Sequence, residues 1–66
     1  MGGEAPSEPT EADLAGIEQE VMQMGANDSE IGFFRSLWVR YRAGEITLRE
    51  AIAEAIGVRN SKQDYH

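Results

Sequence analysis

The seven residues Gly44-Glu45-Ile46-Thr47-Leu48-Arg49-Glu50 constrain this chain more than any other stretch. Glycine takes the left-handed conformation that ends a helix at the least cost. Thr47, three residues before Glu50, makes a full capping box: the threonine hydroxyl accepts from the Glu50 N–H, and the glutamate carboxylate accepts from the Thr47 N–H. Ile46 and Ala51 occupy the flanking positions at which an apolar pair fixes the angle of entry. One helix must therefore stop at Gly44 and another start at Thr47, with a tight corner between them.

On the near side of that corner Ile31, Phe34, Leu37, Trp38 and Tyr41 recur at helical spacing, and Phe33 and Val39 widen the apolar arc. The stretch from Phe33 to Ile56 holds both phenylalanines, the only tryptophan and one of the two tyrosines, so most of the core is expected from it. Trp38 is placed in that core, where the first and third helices converge. Phe33 and Phe34 point about 100° apart, so one of them is expected to face a groove or a partner. On the far side Leu48, Ala51, Ile52, Ala55 and Ile56 share one face, with alanines small enough to let the third helix lie against the second. Gly57 followed by Val58 fits a glycine stop with its apolar contact, so Arg59 to His66 is expected to be a fraying polar tail.

The first helix is read from Thr10, an N-cap with Glu11 and Asp13 in the first turn, although Asp13 stands where a capping box prefers glutamate. Leu14, Ile17, Val21 and Met24 form its stripe, Glu18 and Glu20 point elsewhere, and Gly25 ends it. The cluster from Ala26 to Ser29 turns the chain into a second helix that starts near Asp28 or Ser29. Residues 1–9 carry two glycines, two prolines and acids with no large apolar side chain after Met1, and are expected to be disordered. The predicted fold is all-α: a small three-helix bundle with helices over about 11–24, 29–43 and 48–56, the second in the middle. The domain spans 10–58.

With 66 residues and no cysteine, such a bundle has little core and no disulfide to support it, so burial supplied by a partner or a second copy is a natural expectation. The charge of −6 is unevenly spread: eight acids precede residue 31, and every lysine and arginine follows residue 34. The acidic first half is expected to attract the cluster Arg35, Arg40 and Arg42. A net negative charge disfavours non-specific binding to nucleic acid or to an anionic membrane. The absence of a long apolar run or a signal-peptide pattern makes a cytoplasmic location the default.

No pattern of residues names a reaction. The single histidine, His66, is terminal; the glycines form no phosphate-cradling loop; the acids lack calcium-loop spacing. The expectation is a non-enzymatic protein without cofactor, metal or small-molecule substrate, whose partner is another protein or a second copy of itself. Phe33, Arg35, Trp38, Arg42 and Glu45 are the candidate contact residues.

From Arg40-Tyr41-Arg42-Ala43-Gly44-Glu45-Ile46-Thr47 through Glu50-Ala51-Ile52 to about Ile56, the chain resembles the C-terminal part of the VbhA-type antitoxins. These are small helical inhibitors of Fic-domain toxins, which transfer AMP to target proteins. The resemblance implies a regulator that binds and restrains a toxin. In that family an upstream helix carries Ser or Thr, three residues, Glu and then Gly or Asn, and the Glu blocks productive nucleotide binding. Here the corresponding positions read Met22, then Ala26 before Asn27, so inhibition through that glutamate does not carry over.

Overall fold

A computed structural model describes residues 8–64 of the chain. It consists of α1 (Glu11–Gln23), α2 (Asp28–Arg42) and α3 (Leu48–Asp64), the three-helix all-α bundle predicted. The expected disorder of the leading segment and of the last two residues lies outside the described residues, except at Glu8 and Pro9, which lead into Thr10.

Each helix opens with a reciprocal capping box. Thr10 and Asp13 form one in spite of the short aspartate, with Thr10 N–H donating to Asp13 Oδ2 at 3.1 Å and Asp13 N–H to Thr10 Oγ1 at 3.3 Å. Thr47 and Glu50 form the predicted one at 2.8 and 3.0 Å. α2 starts at Asp28 as predicted, and its cap is Asn27, the one residue of that turn with a glutamate three residues on: Glu30 N–H donates to Asn27 Oδ1 at 2.8 Å, and Asn27 N–H to Glu30 Oε1 at 3.0 Å. Gly25 and Gly44, with φ of 91° and 79°, take the left-handed conformation after α1 and α2. At Gly44 both bonds of a Schellman stop form, Gly44 N–H to Tyr41 O at 3.1 Å and Glu45 N–H to Arg40 O at 2.9 Å.

The fully buried side chains are Leu14, Val21, Phe34, Leu37, Ala51 and Ala55, with Ile17, Phe33, Trp38, Ile46, Ile52 and Val58 among those packed around them. Met24, assigned to the stripe of α1, is exposed at the helix end. The backbones of α1 and α3 make the closest approach in the bundle, α2 packs less closely on α3, and α3 is therefore the helix in the middle, not α2. The reason is side-chain volume. Ala51 and Ala55 sit at the centre of α3's inner face and add no bulk between helices, whereas α2 presents Phe34 and Leu37 and stands off.

The largest departure from the sequence expectation is at Gly57, where α3 continues for seven more residues to Asp64. Gly57 keeps ordinary helical backbone, and the expected tail is instead tied down. Arg59 Nη1 donates to Glu20 Oε1 at 3.0 Å, although the buried Arg59 Nε finds no partner among the described residues. Lys62 Nζ reaches the Glu30 carboxylate at 3.0 and 3.3 Å and the Gly25 carbonyl at 3.3 Å. Val58 packs on the core. These contacts offset the roughly 1 kcal/mol that a glycine costs inside a helix. They also redirect the predicted attraction between the halves: the α1 and α2 acids pair with α3, while Arg40 pairs loosely with Glu45 at 4.0 Å.

Two measurements follow. Nothing lies within 4 Å of a Cβ built on Gly57, so Gly57→Ala in a continuous helix stabilises the fold by about 0.5–1 kcal/mol, raising the melting temperature by several degrees. A left-handed stop at Gly57 would reverse the sign. The second concerns Glu30. The Asn27 N–H, and after it the Lys62 ammonium, hold its carboxyl below the ordinary value of 4.5. Because the folded-state value is lowered, the stabilisation is complete above 4.5 and is lost as pH falls through the folded-state value. The melting-temperature gap between wild type and Glu30→Gln should be constant above about pH 5.5 and close as pH drops below the carboxylate range.

Candidate functional site

Residues 31, 35, 38, 39 and 42 lie on one side of a 3.6-residue helix, displaced from the Phe34 and Leu37 side that enters the core. Ile31, Arg35, Trp38, Val39 and Arg42, with Glu18 of α1, line a shallow groove of about 320 Å³ on the outside of α2. Val39 is 62% exposed and Ile31 37%, a strip of apolar surface that the bundle does not cover.

Trp38 organises the groove. Its ring is half-buried, one edge packed on the core and the other open. The indole Nε1–H donates to Glu18 Oε1 at 2.9 Å, the Arg42 guanidinium carbon stands 5.4 Å from the ring centroid, and Tyr41 meets it edge-on at 6.3 Å. The Glu18 bond fixes the indole against α1, and the guanidinium stacks on its electron-rich face. Glu18, expected to point away from the bundle, is thus part of the α1–α2 contact. One turn along, the Tyr41 hydroxyl donates to Glu11 Oε2 at 2.9 Å, and this acceptor, followed by burial, raises the phenol above its ordinary value of 10.0. These two bonds bridge helices whose backbones do not approach closely.

Of the five candidates from the sequence, the structure gathers Trp38, Arg35 and Arg42 in this groove and leaves two outside it. Phe33 lies on the opposite flank of α2, half-buried on the core and edge-on to Phe34 at 5.8 Å. Phe34 is the fully buried member of that pair. Glu45 stands beyond the Gly44 stop beside Arg40. Ile31 and Val39 were missed as surface residues because helical spacing assigns them to a broad apolar arc. Only the stand-off of α2 shows which edge of the arc stays outside.

The groove's charges are two arginines and one carboxylate, the latter turned onto the indole. Among the described residues Arg35 forms no ion pair or hydrogen bond, and no three His, Cys, Asp or Glu side chains gather where they could hold a metal ion. No helix of the described residues is long and apolar enough to cross a membrane. Comparison with protein-family models, curated proteins and solved structures gives no significant match.

The position of Trp38 at the edge of the core, not at its centre as expected, has a measurable consequence. Phe34→Ala removes a fully buried ring at about 3–5 kcal/mol, against a total of roughly 3–10 kcal/mol for a chain of this length, and leaves the variant largely unfolded. Trp38→Ala should cost less and keep its helicity at 25 °C. Circular dichroism melts of the two variants give the ranking, and equal losses would place Trp38 in the core.

Proposed function

We propose that this chain is a small non-enzymatic regulator, antitoxin-like, that binds a protein partner through the outer face of α2 and the adjoining corner at Gly44–Thr47. The observation that carries the reading is the exposed pair Ile31 and Val39 beside the half-buried Trp38, framed by Arg35 and Arg42. A chain of charge −6 that sets two arginines beside Val39, the most exposed large apolar side chain among the described residues, presents a surface matched to an acidic, apolar partner. Trp38 and Arg42 are residue types that dominate binding hot spots, and the indole is already held by Glu18, which lowers the ordering cost of using it.

The antitoxin component rests on the resemblance over Arg40 to Ile56, which includes Arg42 of the groove and the helix corner beside it. With Met22 and Ala26 in place of the family's hydroxyl and glutamate, restraint of a Fic-domain toxin would come from occluding a protein surface, not from a glutamate in its nucleotide site.

The test uses AMP transfer by a Fic-domain toxin from the same cell, followed with labelled ATP. Wild-type protein at micromolar concentration should suppress transfer, and the triple variant Arg35→Glu, Val39→Asp, Arg42→Glu should not. The three positions are exposed, but Arg42→Glu gives up the stack on Trp38 and puts an acid in the last turn of α2, so the variant should melt below wild type by about 1–2 kcal/mol in all and stay folded. Undiminished transfer in the presence of wild type removes the antitoxin reading, and a triple variant as inhibitory as wild type removes the α2 surface.

A further inference from the structure

On the side of the bundle away from α2, a second groove of about 440 Å³ runs between α1 and α3, lined by Pro9, Asp13, Ile17, Arg49, Ile52 and Ile56. The three isoleucines are half-buried and line the groove with their remaining surface. Asp13 and Arg49 are exposed at one end of it, and no ion pair joins them to each other. We propose that a second copy of this chain covers this groove, forming a two-fold symmetric dimer in which Asp13 of each protomer pairs with Arg49 of the other.

Symmetry and charge together single out a second copy. The helices α1 and α3 run parallel: Glu20 meets Arg59, and further along Gly25 meets Lys62. Turning a copy by half a revolution about an axis parallel to these helices, in the plane of the groove, lays α1 of one protomer over α3 of its partner. At 1.5 Å per residue, Asp13 lies roughly 10 Å and Arg49 roughly 15 Å before the Glu20–Arg59 level. The rotation therefore brings them to nearly the same height, within reach of an arginine side chain. One acid and one base per face make the surface self-complementary, as an isologous interface requires.

The α2 groove fails the same test. It holds two cations and one inward-turned carboxylate, so two copies set face to face would bring like charges together. Each groove thus fits a different occupant: an acidic partner on α2, a second copy on α1 and α3. The dimer also answers a shortage in the monomer, whose fully buried core contains four large side chains and two alanines, by burying three isoleucines per protomer. It rests on residues separate from those of the α2 reading and leaves that face open.

Sedimentation equilibrium of the full chain from about 1 µM to about 1 mM tests this. Wild type should show a monomer–dimer equilibrium. Arg49→Glu and Asp13→Lys each place two like-charge pairs in their homodimer and should weaken association at least about tenfold. Asp13→Lys also gives up the Thr10 N–H bond of the α1 cap, so Arg49→Glu, with helicity by circular dichroism retained, is the single variant that isolates the interface. In an equimolar mixture of the two variants, the heterodimer sets two acidic positions on one protomer against two basic positions on the other. Every pair across it is then of opposite sign, and dimerisation should return. The combined variant Asp13→Lys, Arg49→Glu should dimerise by the same reasoning. The triple variant in the α2 groove should dimerise as wild type does, which separates this proposal from the α2 reading. A monomeric wild type at every concentration overturns it. So do single variants that associate undiminished, or a mixture that stays monomeric.

Discussion

The bundle depends on the close approach of α1 and α3 across Ala51 and Ala55. These alanines are completely buried and contribute little transfer energy themselves. Their value is geometric, because a seam without bulk puts Leu14 and Val21 in one buried cluster with the two alanines and lets α1 come close to α3. Once that pair has closed, the third helix can add only the volume of its own large side chains. Phe34 and Leu37 fill the space that remains, and the backbone of α2 stays farther out than the others. A helix held off in this way cannot turn its whole apolar arc inward. Its outer edge is left as the groove that the functional reading uses.

Polar contacts set the registration of this fold. Three capping boxes fix where each helix starts. Two side-chain bonds, Trp38 to Glu18 and Tyr41 to Glu11, join α1 and α2 where their backbones are too far apart for apolar packing alone. Glu30 links levels of organisation: its carboxylate caps Asn27 and receives Lys62 from the far end of α3. Exposed ion pairs on their own are worth about 0–1 kcal/mol. Lys62 differs from such a pair because one ammonium serves a carboxylate and an otherwise unused carbonyl at a helix end, at a site where both side chains are mostly covered.

The two grooves are set apart by the same packing. On α2 the uncovered residues are aromatic and aliphatic with arginines around them, a surface of positive sign on an acidic molecule. Between α1 and α3 they are isoleucines with one acid and one base. Neither surface follows from a motif. Each arises where helices of unequal side-chain bulk meet, and its charge balance sets the kind of molecule it can accept.

The sequence by itself determined the helix count, the stops at Gly25 and Gly44 and the capping box at Thr47, because these are settled by bonds and backbone preferences within a few residues of chain. It also offered Phe33, Arg35, Trp38, Arg42 and Glu45 as candidate contact residues from their chemistry, but with Trp38 in the core and the arginines on the polar side; that Trp38, Arg35 and Arg42 line one groove came from the tertiary structure. Tertiary structure alone decided that α3 continues past Gly57, since the glycine's preference to stop is smaller than what Val58, Arg59 and Lys62 gain from α1, α2 and the Gly25 corner. It alone placed α3 in the middle, because close approach is governed by the bulk that each helix carries to the seam. It also divided the apolar arc of α2 into Phe34, fully enclosed, and Val39, open. The spacing of apolar residues gives the width of an arc, and only the position of neighbouring helices fixes how much of it is covered.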